Sequence, residues 1–332
     1  MSAPANRRKT LIGFFLLAAA ALLTAGLIII YACGQGVFSL FILRPPPPKD
    51  IPVNERPFSA EREEWRKKYA SEEWTLVTRD GLTLRARHYS PEEKGTNWIL
   101  LASGVQGQTL YLEDLVIDLH GRGYHVLVPE LRGHGESGGE LLGWGVPDKQ
   151  DMLLWVRQIE ETDEGAQIVL FGFSAGGAAA LLASPETPRS VTGIISDSAY
   201  SELEKEFSHL LREKYALPAF PLVAAGSVVC GGRADWSFGE GDVISAVADS
   251  RVPLLFIHGG EDDFAPPEMA EELFNAAAGE PPEKDIPGTK EILIVPGAGH
   301  CRALNADPAG YMKAVDGFLS RFLPISTPDE AR

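Results

Sequence analysis

Gln167-Ile-Val-Leu-Phe-Gly-Phe-Ser-Ala-Gly-Gly177 is an apolar run that breaks into glycines around one serine. Its first half has the β-branched and aromatic residues of a buried strand. The small residues from Gly177 to Ala183 suit a closely packed helix. Between them, Gly172-Phe-Ser-Ala-Gly176 is a G-x-S-x-G set between strand and helix, the context of a nucleophile elbow. A serine hydroxyl is a poor nucleophile at neutral pH and must be held where a base can reach it. Flanking glycines remove the Cβ atoms that so sharp a turn would crowd. The following helix brings free N–H groups and a positive dipole end to the place where an oxyanion forms. A dinucleotide-binding turn shares the strand, turn and helix but needs glycine where Ser174 stands.

On either side of this stretch, strands and helices alternate. Trp74–Thr78 and Leu82–Tyr89, joined at Asp80-Gly81, form a hairpin signal. Strands are expected over Trp98–Ser103, Tyr124–Pro129, Val191–Ser196, Leu254–His258 and Glu291–Val295. Helices are expected over Leu110–His120, Lys149–Glu160, Met269–Ala278 and Ala309–Phe322. Short apolar runs between helices describe a mostly parallel sheet covered on both faces. Residues 200–242 break the rhythm. They hold no strand candidate, only an amphipathic piece at Phe207–Leu211 and the apolar Leu217-Pro-Ala-Phe-Pro-Leu-Val-Ala-Ala225. An insertion there is where a lid lies over a site.

Two later strand ends complete a constellation with Ser174. Leu254-Leu-Phe-Ile-His258-Gly-Gly-Glu-Asp262 puts carboxylates after a buried strand, and Ile294-Val-Pro-Gly-Ala-Gly-His300 puts an imidazole after the next. Serine, acid, histidine is a chain order in which His300 takes the serine proton and a carboxylate fixes the imidazole tautomer. Glu261, Asp262, Asp263 and the earlier Asp197 all compete for the acid role. His258 is read as shaping the acid loop. His88, His120, His125 and His209 are read as structural, and His134 precedes the nucleophile inside a glycine loop. No pair of His or Cys has metal-ligand spacing, and the reading includes no metal and no cofactor. Cys230 and Cys301 remain open as a disulfide pair.

The 332 residues carry a net charge of −16. Arg7, Arg8, Lys9, Arg44 and Lys49 against Asp50 make the first fifty residues +4, so the remainder is −16 − 4 = −20. So acidic a body excludes nucleic acid as a partner. Leu11–Ala32 holds no charge and spans about 33 Å as a helix, enough for a bilayer core. Arg7-Arg8-Lys9 in front of it places the tail in the cytoplasm and the rest outside, as a single-pass protein of the cell membrane. A cleaved signal peptide has a shorter apolar region of about 7–15 residues, and Tyr31 fits a lipoprotein site before Cys33 poorly. The expected organisation is a tail (1–10), an anchor (11–32), a juxtamembrane and proline-rich linker (33–58), a globular domain (59–325) and a short tail (326–332). Pro45–Pro48 is expected to act as a stiff spacer.

From about Trp74 to Leu323 the chain resembles the α/β-hydrolase superfamily, particularly bacterial serine aminopeptidase and esterase-like hydrolases. The residues that carry the resemblance are Asp80-Gly81, Glu130-Leu-Arg-Gly-His-Gly-Glu-Ser137, Gly172-Phe-Ser-Ala-Gly176, His258-Gly-Gly-Glu-Asp262 and Gly297-Ala-Gly-His300. The family's usual His-Gly after the third strand is Ser103-Gly104 here. The resemblance implies an α/β-hydrolase fold with a small helical lid, preceded by one transmembrane helix. It further implies Ser174, Asp262 and His300 as catalytic residues, with the backbone N–H groups of Val105 and Ala175 as oxyanion donors. The family spacing of Asp262 and Pro266 from His258 selects Asp262, and leaves Asp263 near the next helix as a cap. The implied reaction is cleavage of a small acyl ester, or less readily a short peptide amide, through an acyl-serine. An idle tethered binding protein, an acyltransferase and a cofactorless haloperoxidase are the alternatives on the same fold.

Overall fold

A helix that starts among polar residues, runs through an uncharged apolar stretch and ends inside the domain opens the chain. This is α1, Ala3–Phe41, in a computed structural model that describes residues 3–45, 60–92, 95–105, 109–277 and 290–325. The elements that follow are α2 (Ala60–Lys68), β1 (Glu72–Val77), β2 (Thr83–Tyr89), β3 (Asn97–Ala102), α3 (Thr109–Gly121), β4 (His125–Pro129) and α4 (Asp148–Thr162). Then come β5 (Gln167–Phe173), α5 (Ala175–Ala183), β6 (Val191–Asp197), α6 (Leu203–Tyr215), α7 (Leu222–Ala234) and α8 (Val243–Ala248). The chain closes with β7 (Leu254–Gly259), α9 (Glu268–Ala276), β8 (Lys290–Val295), α10 (Ala303–Ala306) and α11 (Pro308–Phe322).

The strands form one eight-stranded sheet in the order β1-β2-β4-β3-β5-β6-β7-β8. β2 runs antiparallel to both β1 and β4, and the pairs from β4 to β8 are parallel. Alternation sends Trp98, Leu100 and Ala102 to one face and Ile99 and Leu101 to the other, and all five are buried. The first face is covered by α4, α5 and α9, with α6 of the insertion joined to the same core, and the second by α3 and α11. Both faces are therefore dry, which explains why β3, β5 and β7 are continuous apolar runs. All the expected strands and helices are present, and the fold is that of an α/β hydrolase.

One difference from the sequence reading lies before the sheet. Residues 33–58 read as a juxtamembrane linker, with Gly34–Leu43 either on the membrane surface or extending the anchor; α1 does extend to Phe41, but its last turns enter the core. Gly34, Val37, Phe38 and Phe41 recur at i, i+3, i+4 and i+7, so they share one face, and Val37, Phe38, Phe41 and Ile42 are buried. Phe41 stacks on Phe207 of α6 at 4.5 Å between ring centroids. Trp144 Nε1 donates to the Phe41 carbonyl at 2.7 Å, and Leu43 pairs with Leu141 as an isolated bridge. Most of the proline spacer, Pro46–Pro48, lies outside the described residues.

The insertion carries the expected small helical element as two helices, α6 and α7, of which only the piece at Phe207–Leu211 shows an amphipathic period in the sequence. The apolar Leu222–Ala234 hid a helix because it lacks a polar face from which a period could be read. Cys230 lies in the core on one face of the sheet and Cys301 in the core on the other, and both are free thiols. The open disulfide pairing is therefore not formed.

Candidate active site

The elbow forms because backbone approaches backbone too closely for any side chain. A Cβ at Gly172 would lie 2.3 Å from the Gly176 carbonyl, and one at Gly176 would lie 2.4 Å from the Ser103 oxygen. Ser174 between them takes φ 50° and ψ −118°, a strained conformation for a residue with a Cβ. The Asp197 carbonyl accepts the Ser174 N–H at 2.8 Å, and the Ala178 N–H donates to the Ser174 carbonyl at 2.8 Å. The turn is thus fastened to β6 on one side and to α5 on the other. Strain is kept at the residue whose hydroxyl must project.

Beyond the C-terminal ends of β7 and β8, the other two predicted residues close on this serine. His300 Nε2 lies 3.0 Å from Ser174 Oγ, and His300 Nδ1 lies 2.8 Å from Asp262 Oδ2. Asp262 Oδ1 accepts the N–H groups of Phe264 and Ala265, both at 2.9 Å. His258 Nε2 donates to the Ala265 carbonyl at 2.8 Å and lies 3.2 Å from Asp262 Oδ2. Burial works against ionising Asp262, but hydrogen bonds from His258 and His300 outweigh it and hold this carboxyl well below the usual range. An ionised carboxylate can only accept, so Nδ1 of His300 carries the proton and Nε2 is left to accept from Ser174. The same contacts raise the pKa of His258 against its own burial, which tightens its grip on the loop. His258 shapes the acid loop, as expected.

Two of the rival carboxylates, Asp197 and Asp263, are occupied elsewhere. Asp197 is fully buried and accepts from Ser198 Oγ at 2.8 Å and from the Tyr311 hydroxyl at 3.0 Å. Burial pushes its pKa up to about 6 against those two bonds. Asp263 was expected to cap the next helix. Instead it pairs with Lys214 Nζ of α6 at 2.5 Å, while its carbonyl accepts from His209 Nε2 at 3.0 Å. The reason is position, since α9 begins only at Glu268, after Pro266 and Pro267. His134 Nδ1 binds the Arg132 carbonyl at 2.9 Å, and Arg132 holds Asp151 through two bonds of 2.8 Å. The Glu130–Ser137 motif therefore braces loops rather than touching Ser174.

Gly104 lies directly against the serine. A Cβ there would stand 2.8 Å from Ser174 Cβ and 3.4 Å from Ser174 Oγ. Val105 follows Gly104 in the chain, and Ala175 opens α5 directly after the serine. Three residues that the sequence reading missed also belong here. The Phe264 ring packs on His300 at 4.6 Å between centroids, and Trp144 lies parallel to Phe264 at 6.4 Å. On α6, Glu206 is 1% exposed, and neither carboxylate oxygen has a hydrogen-bond partner among the described residues. Burial, with the nearby Asp262 charge adding to it, raises its pKa well above the usual range. Its signal was a glutamate inside the apolar stripe Leu203, Phe207, Leu210, Leu211.

Chemically, the arrangement supplies a hydroxyl, a neutral imidazole to receive its proton and a carboxylate to hold the imidazolium. No cluster of metal-binding side chains occurs among the described residues. Residues 95–314 match the sequence profile of the alpha/beta hydrolase family. The chain is similar to an uncharacterised protein of Bacillus subtilis, 26% identical over 245 residues that cover 72% of this chain and 76% of that protein. An uncharacterised membrane protein of Saccharomyces cerevisiae is 25% identical over 250 residues, covering 75% and 79%. Among solved structures, an esterase of Pyrococcus furiosus superposes with a TM-score of 0.64 at 20% identity, over 85% of this chain and 98% of that one. At that identity the likeness is one of fold.

Proposed function

This chain belongs to the alpha/beta hydrolase family, and from that premise we propose that it is a membrane-anchored serine hydrolase that cleaves acyl esters through an acyl-Ser174 intermediate. The observation that carries the reading is the unbroken hydrogen-bonded chain Ser174–His300–Asp262, at 3.0 and 2.8 Å. Ser174 Oγ attacks the ester carbonyl as its proton passes to His300 Nε2, and Asp262 stabilises the imidazolium. Charge collects on the former carbonyl oxygen, within reach of the Val105 and Ala175 backbone N–H groups. His300 then gives its proton to the departing alcohol oxygen. A water, deprotonated by the same imidazole, releases the acid and restores Ser174.

In this reading α1 carries the enzyme in the cell membrane. Ile12–Phe41 is long and apolar enough to cross a bilayer, and its side chains from Phe14 to Ala25 are exposed. Arg7-Arg8-Lys9 supports a cytoplasmic N-terminus with the catalytic domain on the other side. The test uses the full chain in detergent, a fluorophosphonate probe, p-nitrophenyl esters of rising chain length and aminoacyl anilides. Labelling at one site and ester turnover, both lost in Ser174→Ala with thermal stability kept, are expected. Labelling or turnover that survives Ser174→Ala overturns the nucleophile. Faster turnover of the anilides moves the substrate class to amides.

A further inference from the structure

Leu217 to Gly232 is sixteen residues without a charge, in a domain that otherwise carries many. Within it, α7 turns Val223, Gly226, Val229 and Cys230 inward, yet its outward face is also apolar. Ala224, Val228 and Gly231, at i, i+4 and i+7, are exposed, Val228 at 74%. Just before the helix, Phe220 is 81% and Leu217 43% exposed. A surface helix in water keeps polar residues on its outer face, and an apolar patch that persists there marks a contact.

What covers it follows from where α7 sits. Gly34 of α1 packs on α7 so closely that a Cβ would stand 2.5 Å from the Ala225 carbonyl oxygen. Gly226 approaches Val37 so closely that its Cβ would meet the valine side chain at 2.5 Å. Small residues on both helices let the backbones approach. Gly34 and Val37 lie only about 4.5 and 9 Å along the helix beyond Tyr31, near the end of the exposed apolar run. That level is marked by polar side chains. Gln35 Nε2 donates to the Tyr31 hydroxyl at 2.8 Å, Arg233 donates to Gln35 Oε1 at 2.8 Å, and its guanidinium lies 4.3 Å over Phe38. Tyrosine and arginine with apolar stems are the residues that settle at a lipid–water boundary.

We propose that the outer face of α7, with Phe220 and Leu217, seats in the lipid headgroup layer beside α1, so that the insertion is a second and peripheral membrane contact. This rests on the anchor reading above. α7 crosses α1 where that helix leaves the bilayer, and an apolar face at that height meets acyl-chain ends rather than water. α6, on the other side of α7, carries Phe207 and Glu206 toward the site, so the insertion stands between lipid and Ser174.

The experiment places a fluorophore at three positions of the full chain in a Cys33→Ser background, and leaves the buried Cys230 and Cys301 in place. The variants are Val228→Cys, Leu23→Cys in the anchor and Gln167→Cys at the exposed N-terminal end of β5, the end of the strand away from Ser174. Each is labelled with an NBD reagent and reconstituted into phosphatidylcholine–phosphatidylglycerol vesicles, with and without shallow doxyl lipid. The expected result is blue-shifted emission and doxyl quenching at 228 comparable to that at 23, with neither at 167. Quenching at 23 but water-like emission at 228 overturns the inference and leaves the anchor standing. Absence of quenching at 23 overturns both. A blue shift at 228 without doxyl quenching shows a protein surface or a second copy on this face, and also overturns it.

Discussion

The acid of the proposed triad is the residue whose assignment geometry tests most sharply. Asp262→Asn removes the acceptor that fixes His300 and should lower kcat by about 10⁴. Asp197→Asn should cost less than about tenfold, because Asp197 holds Ser198 and Tyr311 rather than His300. Steady-state ester hydrolysis by the two variants decides, and the reverse ranking moves the acid to β6. Glu206 makes a different prediction. In the unfolded chain it ionises near its ordinary pKa, whereas burial keeps it protonated in the fold to well above that. The folded state therefore binds the extra proton, and stability falls as pH rises from the ordinary glutamate range toward the raised value. Glu206→Gln should change Tm little at pH 4 and raise it at pH 8, where a gain of 1 kcal/mol would read as about 2–4 °C in a domain of this size. A Tm at pH 8 that stays level or drops would show that the carboxylate is ionised and paired. Ser174, Asp262 and His300 were legible because each follows a strand and their chain order is diagnostic. Phe264 and Glu206 were not. Glu206 shows locally only as a lone glutamate in the apolar stripe of α6, and the roles of both come from what α6 and the acid loop pack against.

Among the elements, the β3–α3 connection is the one whose departure from the family pattern matters most. Ser103-Gly104 stands where the family has His-Gly, yet Gly104 still lies against Ser174. A valine there would drive its Cβ to 2.8 Å from Ser174 Cβ and 3.2 Å from the Phe173 oxygen. Gly104→Val should lower kcat by about 10²–10³, the cost of losing an oxyanion donor, with Tm followed to confirm that the fold survives. An unchanged kcat would remove this loop from the oxyanion site. The strands were legible because burial on both faces leaves a continuous apolar signature in short runs. α6 was half legible, from Phe207 and Leu211. α7 was not, since a helix apolar on both of its faces carries no polar period, and in hydropathy the end of α1 reads equally as membrane span, surface segment or core helix.

The consequence of that last element reaches across the entire chain. Val37, Phe38, Phe41 and Ile42 are each 5% exposed or less, and each contributes about 1.5–3 kcal/mol by leaving water. Native domains hold only about 5–15 kcal/mol in all. A soluble chain that starts at Ile51 should therefore unfold well below the full chain in detergent, and circular dichroism melts of the two would show it. Equal Tm values would mean that the helix end is ornamental. The converse concerns shedding, the release of a surface enzyme by cutting its stalk. Arg44 N–H donates to the Glu140 carbonyl at 2.8 Å and Leu142 N–H to the Ile42 carbonyl at 2.7 Å, so the segment is stitched in place before residue 45. A protease site introduced between Lys49 and Asn54 should give two fragments on a denaturing gel, while the catalytic fragment stays with the membrane until urea is added. On the anchor proposed above, α1 once cut from the domain would hold it as a second subunit does, and cleavage there would release nothing.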